Sequence, residues 1–145
     1  MLTINVACEV EDVIKKSRFL GFIYPCQSEA EAQGYLAVLR AEHLGANHIV
    51  FAYRIKTEAG IISRFYDAGE PSGTAGKPVY SSIEGHDLIN ALVVVVRYFG
   101  GIKLGAGGLT RAYGQSAKHA IQAADIHEFI EYSIVEFILD YQQFQ

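Results

Sequence analysis

Two glycine-rich runs hold most of the residues able to do chemistry. The first, Asp67-Ala68-Gly69-Glu70-Pro71-Ser72-Gly73-Thr74-Ala75-Gly76-Lys77, combines two carboxylates, two hydroxyls and a lysine with three glycines. The second, Phe99–Gly108, carries Lys103 and is followed by Thr110 and Arg111. Glycine lets a ligand approach the backbone closely, and a helix N-terminus offers free N–H groups at the positive end of its dipole. Together these features suit a phosphate or another anion. The second run is expected as a loop opening a helix over Leu109–Ala124, with an anion on the N–H groups of Gly108 to Thr110. The candidate anion or nucleic-acid contacts are therefore Arg97, Lys103, Gly105, Gly107, Gly108, Thr110, Arg111 and Lys118. Asp67, Glu70, Ser72, Thr74 and Lys77 form a candidate second loop. The competing reading is structural: the glycines only make a tight connection, and Arg111 pairs with an acid.

More specific chemistries fail on single residues. A nucleotide-hydrolysing P-loop around Gly76-Lys77 needs glycine at position 71 and serine or threonine at 78, and both are proline. Pro78 has neither a hydroxyl for magnesium nor an N–H for phosphate. Gly105-Ala106-Gly107-Gly108-Leu109-Thr110 misses the dinucleotide fingerprint because its sixth residue is threonine. His86-Asp87 has no identifiable nucleophile, and Ser72 has no evident base. His43, His48, His86, His119 and His127 lack zinc-ligand spacing. No catalytic residue, metal or cofactor is assigned, and the chain reads as non-enzymatic. His48 is expected as a hydrogen-bonded core residue, and Asp67 and Glu70 as exposed, solvated or capping loop acids. Tyr98, Phe99 and Tyr113 stand near cations and could stack bases, although buried packing is the commoner use of aromatics.

The whole chain sets the limits. Its 145 residues suit one domain with a sizeable core. No apolar run approaches membrane-spanning length, the start lacks the pattern of a signal peptide, and two cysteines make no disulfide framework, so a cytoplasmic setting is expected. The net charge of −4 argues mildly against nucleic acid, but its distribution does not. Leu88 to Ala124 contains no acid and carries Arg97, Lys103, Arg111 and Lys118, and Lys15, Lys16 and Arg18 form a second basic cluster.

The elements that must position these residues follow from periodicity. Thr3–Glu11 and Arg18–Pro25 read as strands. Ser28 with Glu31 gives capping-box spacing for a helix ending near Leu44-Gly45. His48–Ile55 and Gly60–Tyr66 form a hairpin. Pro78 opens a short helix to Glu84. Ala91–Val96 is apolar throughout and belongs at the centre of a sheet. Ala112, Ser116, Ala120 and Ala123 let the last helix approach that sheet closely, and Arg111, Gln115, Lys118 and Gln122 share another face. The mixture predicts an α+β fold.

The run Arg97-Tyr98-Phe99-Gly100-Gly101-Ile102-Lys103-Leu104-Gly105-Ala106-Gly107-Gly108-Leu109-Thr110-Arg111-Ala112-Tyr113 resembles the signature of the IMPACT (YigZ-like) family. So do Gly69–Pro78, Lys16-Ser17-Arg18-Phe19, Asn47-His48 and Ala52-Tyr53-Arg54. Tyr66 and Ala68 depart from the family pattern, which tends to have Ser and Asp there. The resemblance implies a fold like domain 2 of ribosomal protein S5, a sheet with two main helices. It also implies a translation-associated regulatory module whose partners are RNA, the ribosome or a translation-regulatory protein. Bacterial members usually continue into a ferredoxin-like domain. Residues 1–128 are thus expected as the first domain, and 129–145, with a strand over Glu131–Tyr141, as the start of that second domain or as an extra edge strand. The alternative function is a binder of, or enzyme on, a small phosphorylated ligand, using the same loop with Asp67 and Glu70.

Overall fold

The structure is a computed structural model that describes residues 1–131. The expected strand at Glu131–Tyr141 lies almost wholly outside the described residues. The elements are β1 (Leu2–Ile4), β2 (Cys8–Ile14), β3 (Ser17–Pro25), α1 (Glu29–Glu42), β4 (His48–Thr57), β5 (Gly60–Tyr66), α2 (Gly76–Gly85), β6 (Ala91–Tyr98), α3 (Gly105–Ala123) and β7 (Ile126–Glu128).

β2 to β6 form a five-stranded antiparallel sheet in the order β2-β3-β6-β4-β5. β6 is central, as its unbroken apolar run requires. Val93 and Val95 face one side, with Phe19 and Ile23 of β3 and Val50 and Ala52 of β4, under α2 and α3. Leu92, Val94 and Val96 face the other, with Phe22, Phe51, Tyr53 and Ile55, under Ala32, Leu36 and Leu39 of α1. The fold is thus α+β in three layers. The two longer helices, α1 and α3, are the main ones expected, and the ten-residue α2 is the shorter helix expected around Pro78.

Local chemistry explains the element boundaries. Ser28 Oγ accepts from Glu31 N–H at 3.1 Å, and the Glu31 carboxylate reaches back to Gln27 N–H at 3.2 Å, a capping box displaced by one residue. Lys15 and Lys16 both have positive φ (47° and 66°), as the tight turn between β2 and β3 demands. α3 rests on β3 at Gly21, where a Cβ would stand 2.8 Å from Ser116 Oγ. Ala112, Ser116 and Ala120 are buried in that contact, while Ala123 is exposed. β5 lies at the sheet edge with every residue exposed, Ile61, Ile62, Phe65 and Tyr66 included.

Three boundaries differ from expectation. The single strand over Thr3–Glu11 is two strands, because β1 leaves the main sheet to pair with β7, an element the periodicity did not reveal. α2 starts at Gly76, so Pro78 falls within its first turn rather than at its start. α3 begins at Gly105, one turn before Leu109. Glycine's poor helix propensity hid both early starts.

Candidate functional site

The early start of α3 moves the anion-binding donors. In an α-helix each N–H bonds to the carbonyl four residues back. The N–H groups of Gly108, Leu109 and Thr110 are therefore taken by Leu104, Gly105 and Ala106, and the expectation of an anion on Gly108 to Thr110 is corrected. The free donors belong to Gly105, Ala106 and Gly107. Leu104, at the cap, supplies no side-chain hydrogen bond to them. Gly105 enters the helix at φ +74°, a conformation that favours glycine. The Thr110 hydroxyl donates back to Ala106 C=O at 3.0 Å and so serves the helix.

Cations surround this helix end. Lys103, Arg111 and Lys118 are exposed, and none has a carboxylate within ion-pair distance among the described residues. The Arg111 guanidinium lies alongside Gly107, 3.5 Å from where a Cβ would stand. Lys118 sits two turns further along the same exposed stripe. The fold also brings in the second basic cluster. The Lys16 backbone presses on Gly100, where a Cβ would be 2.0 Å from the Lys16 carbonyl oxygen, and Lys15 lines a hollow with Arg111. Lys15, Lys103 and Arg111 thus flank the first turns of α3, and the Lys16 backbone packs beside Gly100 in the loop that leads into it. Sequence distance concealed this, although the shared sign of charge was visible.

Arg97 belongs elsewhere. It is 5% exposed, and Nη1 donates to Glu70 Oε2 at 2.7 Å. Its expected role as a free phosphate contact is corrected: β6 carries it into the interior, where Glu70 neutralises it. Glu70 is not an exposed loop acid either. It is buried, receives the Tyr113 hydroxyl at 2.5 Å, and lies 3.3 Å from His48 Nε2. His48 Nδ1 contacts Ala68 C=O at 2.8 Å. Burial first, and the bond to Glu70 second, push the Tyr113 hydroxyl far above the usual phenol value, so it serves as a donor. Ser17 Oγ completes the cluster, 3.4 Å from Arg97 Nη2. The sequence could not pair Glu70 with Arg97 across 27 positions.

The first glycine run is a structural brace. Asp67 accepts N–H bonds from Gly73 (3.0 Å), Ala75 (3.2 Å) and Gly76 (2.8 Å), and so caps α2 from outside the helix. Burial raises its pKa, but the bonds from Gly73, Gly76 and Ala75 outweigh burial and hold the carboxyl below the usual range. Thr74 is buried, with its hydroxyl donating to Pro71 C=O at 2.5 Å. Ser72 and Lys77 are exposed. No group of metal-ligating side chains forms among the described residues.

Between the two runs opens a cleft of about 410 Å³. Its walls include His48, Glu70, Arg97, Phe99, Lys103 and the Gly105-Ala106 end of α3.

The Impact N-terminal domain model matches residues 15–121, which take in both glycine runs and the whole main sheet from the β2–β3 turn onward except β2 itself. The chain belongs to this family. An IMPACT family member from Haemophilus influenzae is 38% identical over 134 residues, covering 92% of this chain and 65% of its own length. IMPACT family member YvyE from Bacillus subtilis is 43% identical over 126 residues, covering 87% and 58%. A crystal structure of a hypothetical protein superposes with a TM-score of 0.82 at 35% identity, covering 87% of this chain and 62% of that one. The chain therefore spans roughly three fifths of the length of relatives it matches. The matched fold is the one that the glycine signatures implied. No helix among the described residues is long and apolar enough to cross a membrane.

Proposed function

We propose that this domain is a translation-associated regulatory module that contacts RNA, free or in the ribosome, through the basic head of α3. Membership of the IMPACT family supports the link to translation. The observation that supports the RNA contact is the grouping of Lys15, Lys103 and Arg111 about the first turns of α3, whose opening N–H groups are unclaimed, in a chain of net charge −4. Spending positive charge on one face of an acidic protein fits a polyanionic partner. The small-ligand enzyme reading loses support, because Asp67 and Glu70 are committed to backbone and ion-pair bonds.

Titration of labelled single-stranded RNA at several salt concentrations tests this. Neutralising three or four phosphates gives a slope of log affinity against log salt of about −2 to −3, with roughly micromolar or weaker affinity. Arg111→Glu lowers affinity for all sequences alike and flattens the slope by about one. Equal binding by both proteins, or none at low salt, removes RNA and leaves a translation-regulatory protein as the partner.

A further inference from the structure

We infer that the cleft beside α3 receives a single unpaired nucleotide, its base against Phe99 and its phosphate on the N–H groups of Gly105, Ala106 and Gly107. The inference rests on reading this face as one that meets phosphates, and it names the chemical unit taken there.

The cleft is built in two halves. One end is an anion site: free N–H groups of a 19-residue helix, with Lys103 in the wall. The other is apolar, with Pro71, Phe99, Leu104 and Leu109. A bare phosphate or a sugar phosphate leaves the apolar half unused. A nucleotide has a flat π-face at one end and an anion at the other, and about 410 Å³ is within the range of small-ligand sites.

Phe99 is the element that turns an anion site into a nucleotide site. It is 46% exposed, yet it is held in position. Its backbone N–H donates to Asn47 Oδ1 at 2.8 Å, and its ring lies 5.5 Å from the Arg97 guanidinium carbon. Arg97 is itself fixed by Glu70 and lies over Phe19 at 5.6 Å. An aromatic ring exposed on a rigid support is a stacking platform that binding need not order. Asn47 uses its carbonyl on Phe99, which leaves its NH₂ group for an acceptor on a base edge.

The wall behind Phe99 is equally fixed: Arg97 lines the cleft, is 5% exposed, and keeps its Nε–H enclosed without a partner among the described residues.

The test compares inorganic phosphate, ribose 5-phosphate, the 5′-ribonucleoside monophosphates and a single-stranded RNA octamer, followed by amide NMR shifts of the chain. Every phosphate should shift Gly105, Ala106 and Gly107. The monophosphates should bind about tenfold more tightly than ribose 5-phosphate, since stacking supplies the difference. Phe99→Ala should abolish that difference and Phe99→Tyr retain it; both should fold, because the ring is half exposed. Equal binding of ribose 5-phosphate and monophosphates, or an unchanged difference in Phe99→Ala, overturns the inference. If the octamer binds with the expected salt slope and Phe99→Ala changes nothing, the RNA surface stands and the nucleotide cleft falls. If monophosphates bind through Phe99 and the octamer binds no more tightly, the cleft stands and RNA falls.

Discussion

Glu70 shows how one side chain can decide the character of a site. Its carboxylate meets Arg97, Tyr113 and His48 in the interior. Removing one partner of a buried pair strands the other charge, so Glu70→Ala should destabilise the domain by about 3–5 kcal/mol in denaturant unfolding. Adding Arg97→Met should recover much of the loss, because the uncompensated charge goes with it. A double variant no more stable than Glu70→Ala would show that the pair does not govern the cost. Asp67 acts through backbone donors instead, and Asp67→Ala should cost about 2 kcal/mol. Its folded pKa is depressed, so its contribution is fully present above the ordinary carboxylate value of 3.8 and is lost as pH falls through the lower folded value. The stability gap between wild type and Asp67→Ala should therefore narrow in acid, and a gap constant from pH 7 to pH 2 contradicts this account. Capping was among the roles expected of these loop acids, and Asp67 fills it; the ion pair of Glu70 was not legible, because it depends on three-dimensional proximity to Arg97.

At the scale of elements, α3 was legible along its body and misread at its head. The small residues Ala112, Ser116 and Ala120 announced close packing, and Gly21 opposite them confirms it. The glycines before Leu109 resembled a loop because propensity counts against them in a helix. Their separate jobs appear only with backbone angles. Gly105 has φ +74°, so Gly105→Ala should lower stability by about 1 kcal/mol. Gly107 has no such constraint, and its nearest neighbour is the movable Arg111 head. Gly107→Ala should therefore raise stability by up to about 1 kcal/mol. Thermal unfolding of the pair checks this, and shifts of the same sign would contradict the assignment. β6 needed no such correction: an unbroken apolar run is legible because it admits only a strand buried on both faces.

For the whole molecule, closure comes from β1 and β7. Leu2 pairs with Glu128, and Phe129 N–H donates to Met1 C=O at 2.9 Å. These contacts tie the two ends of the described chain together. Past them, the Lys56–Glu131 ion pair is surface-exposed on the Glu131 side, and pairs of this kind contribute little. Deleting everything after Ile130 should therefore leave one cooperative unfolding transition at nearly the same midpoint. Broad or non-cooperative unfolding would assign the tail to the first domain. The overall charge says little about the partner proposed above, since −4 describes the sum, whereas binding depends on where the cations stand.

β5 has a consequence for how copies of this chain meet. An edge strand whose outer backbone is unpaired is a template on which another extended segment can add hydrogen bonds. Gly60–Tyr66 contains no proline and a single charge, Arg64, among exposed Ile61, Ile62, Phe65 and Tyr66. Arg64 is thus the gatekeeper of this edge: it holds a guanidinium in the middle of a stretch suited to sheet-by-sheet aggregation, where a charge opposes the addition of another strand.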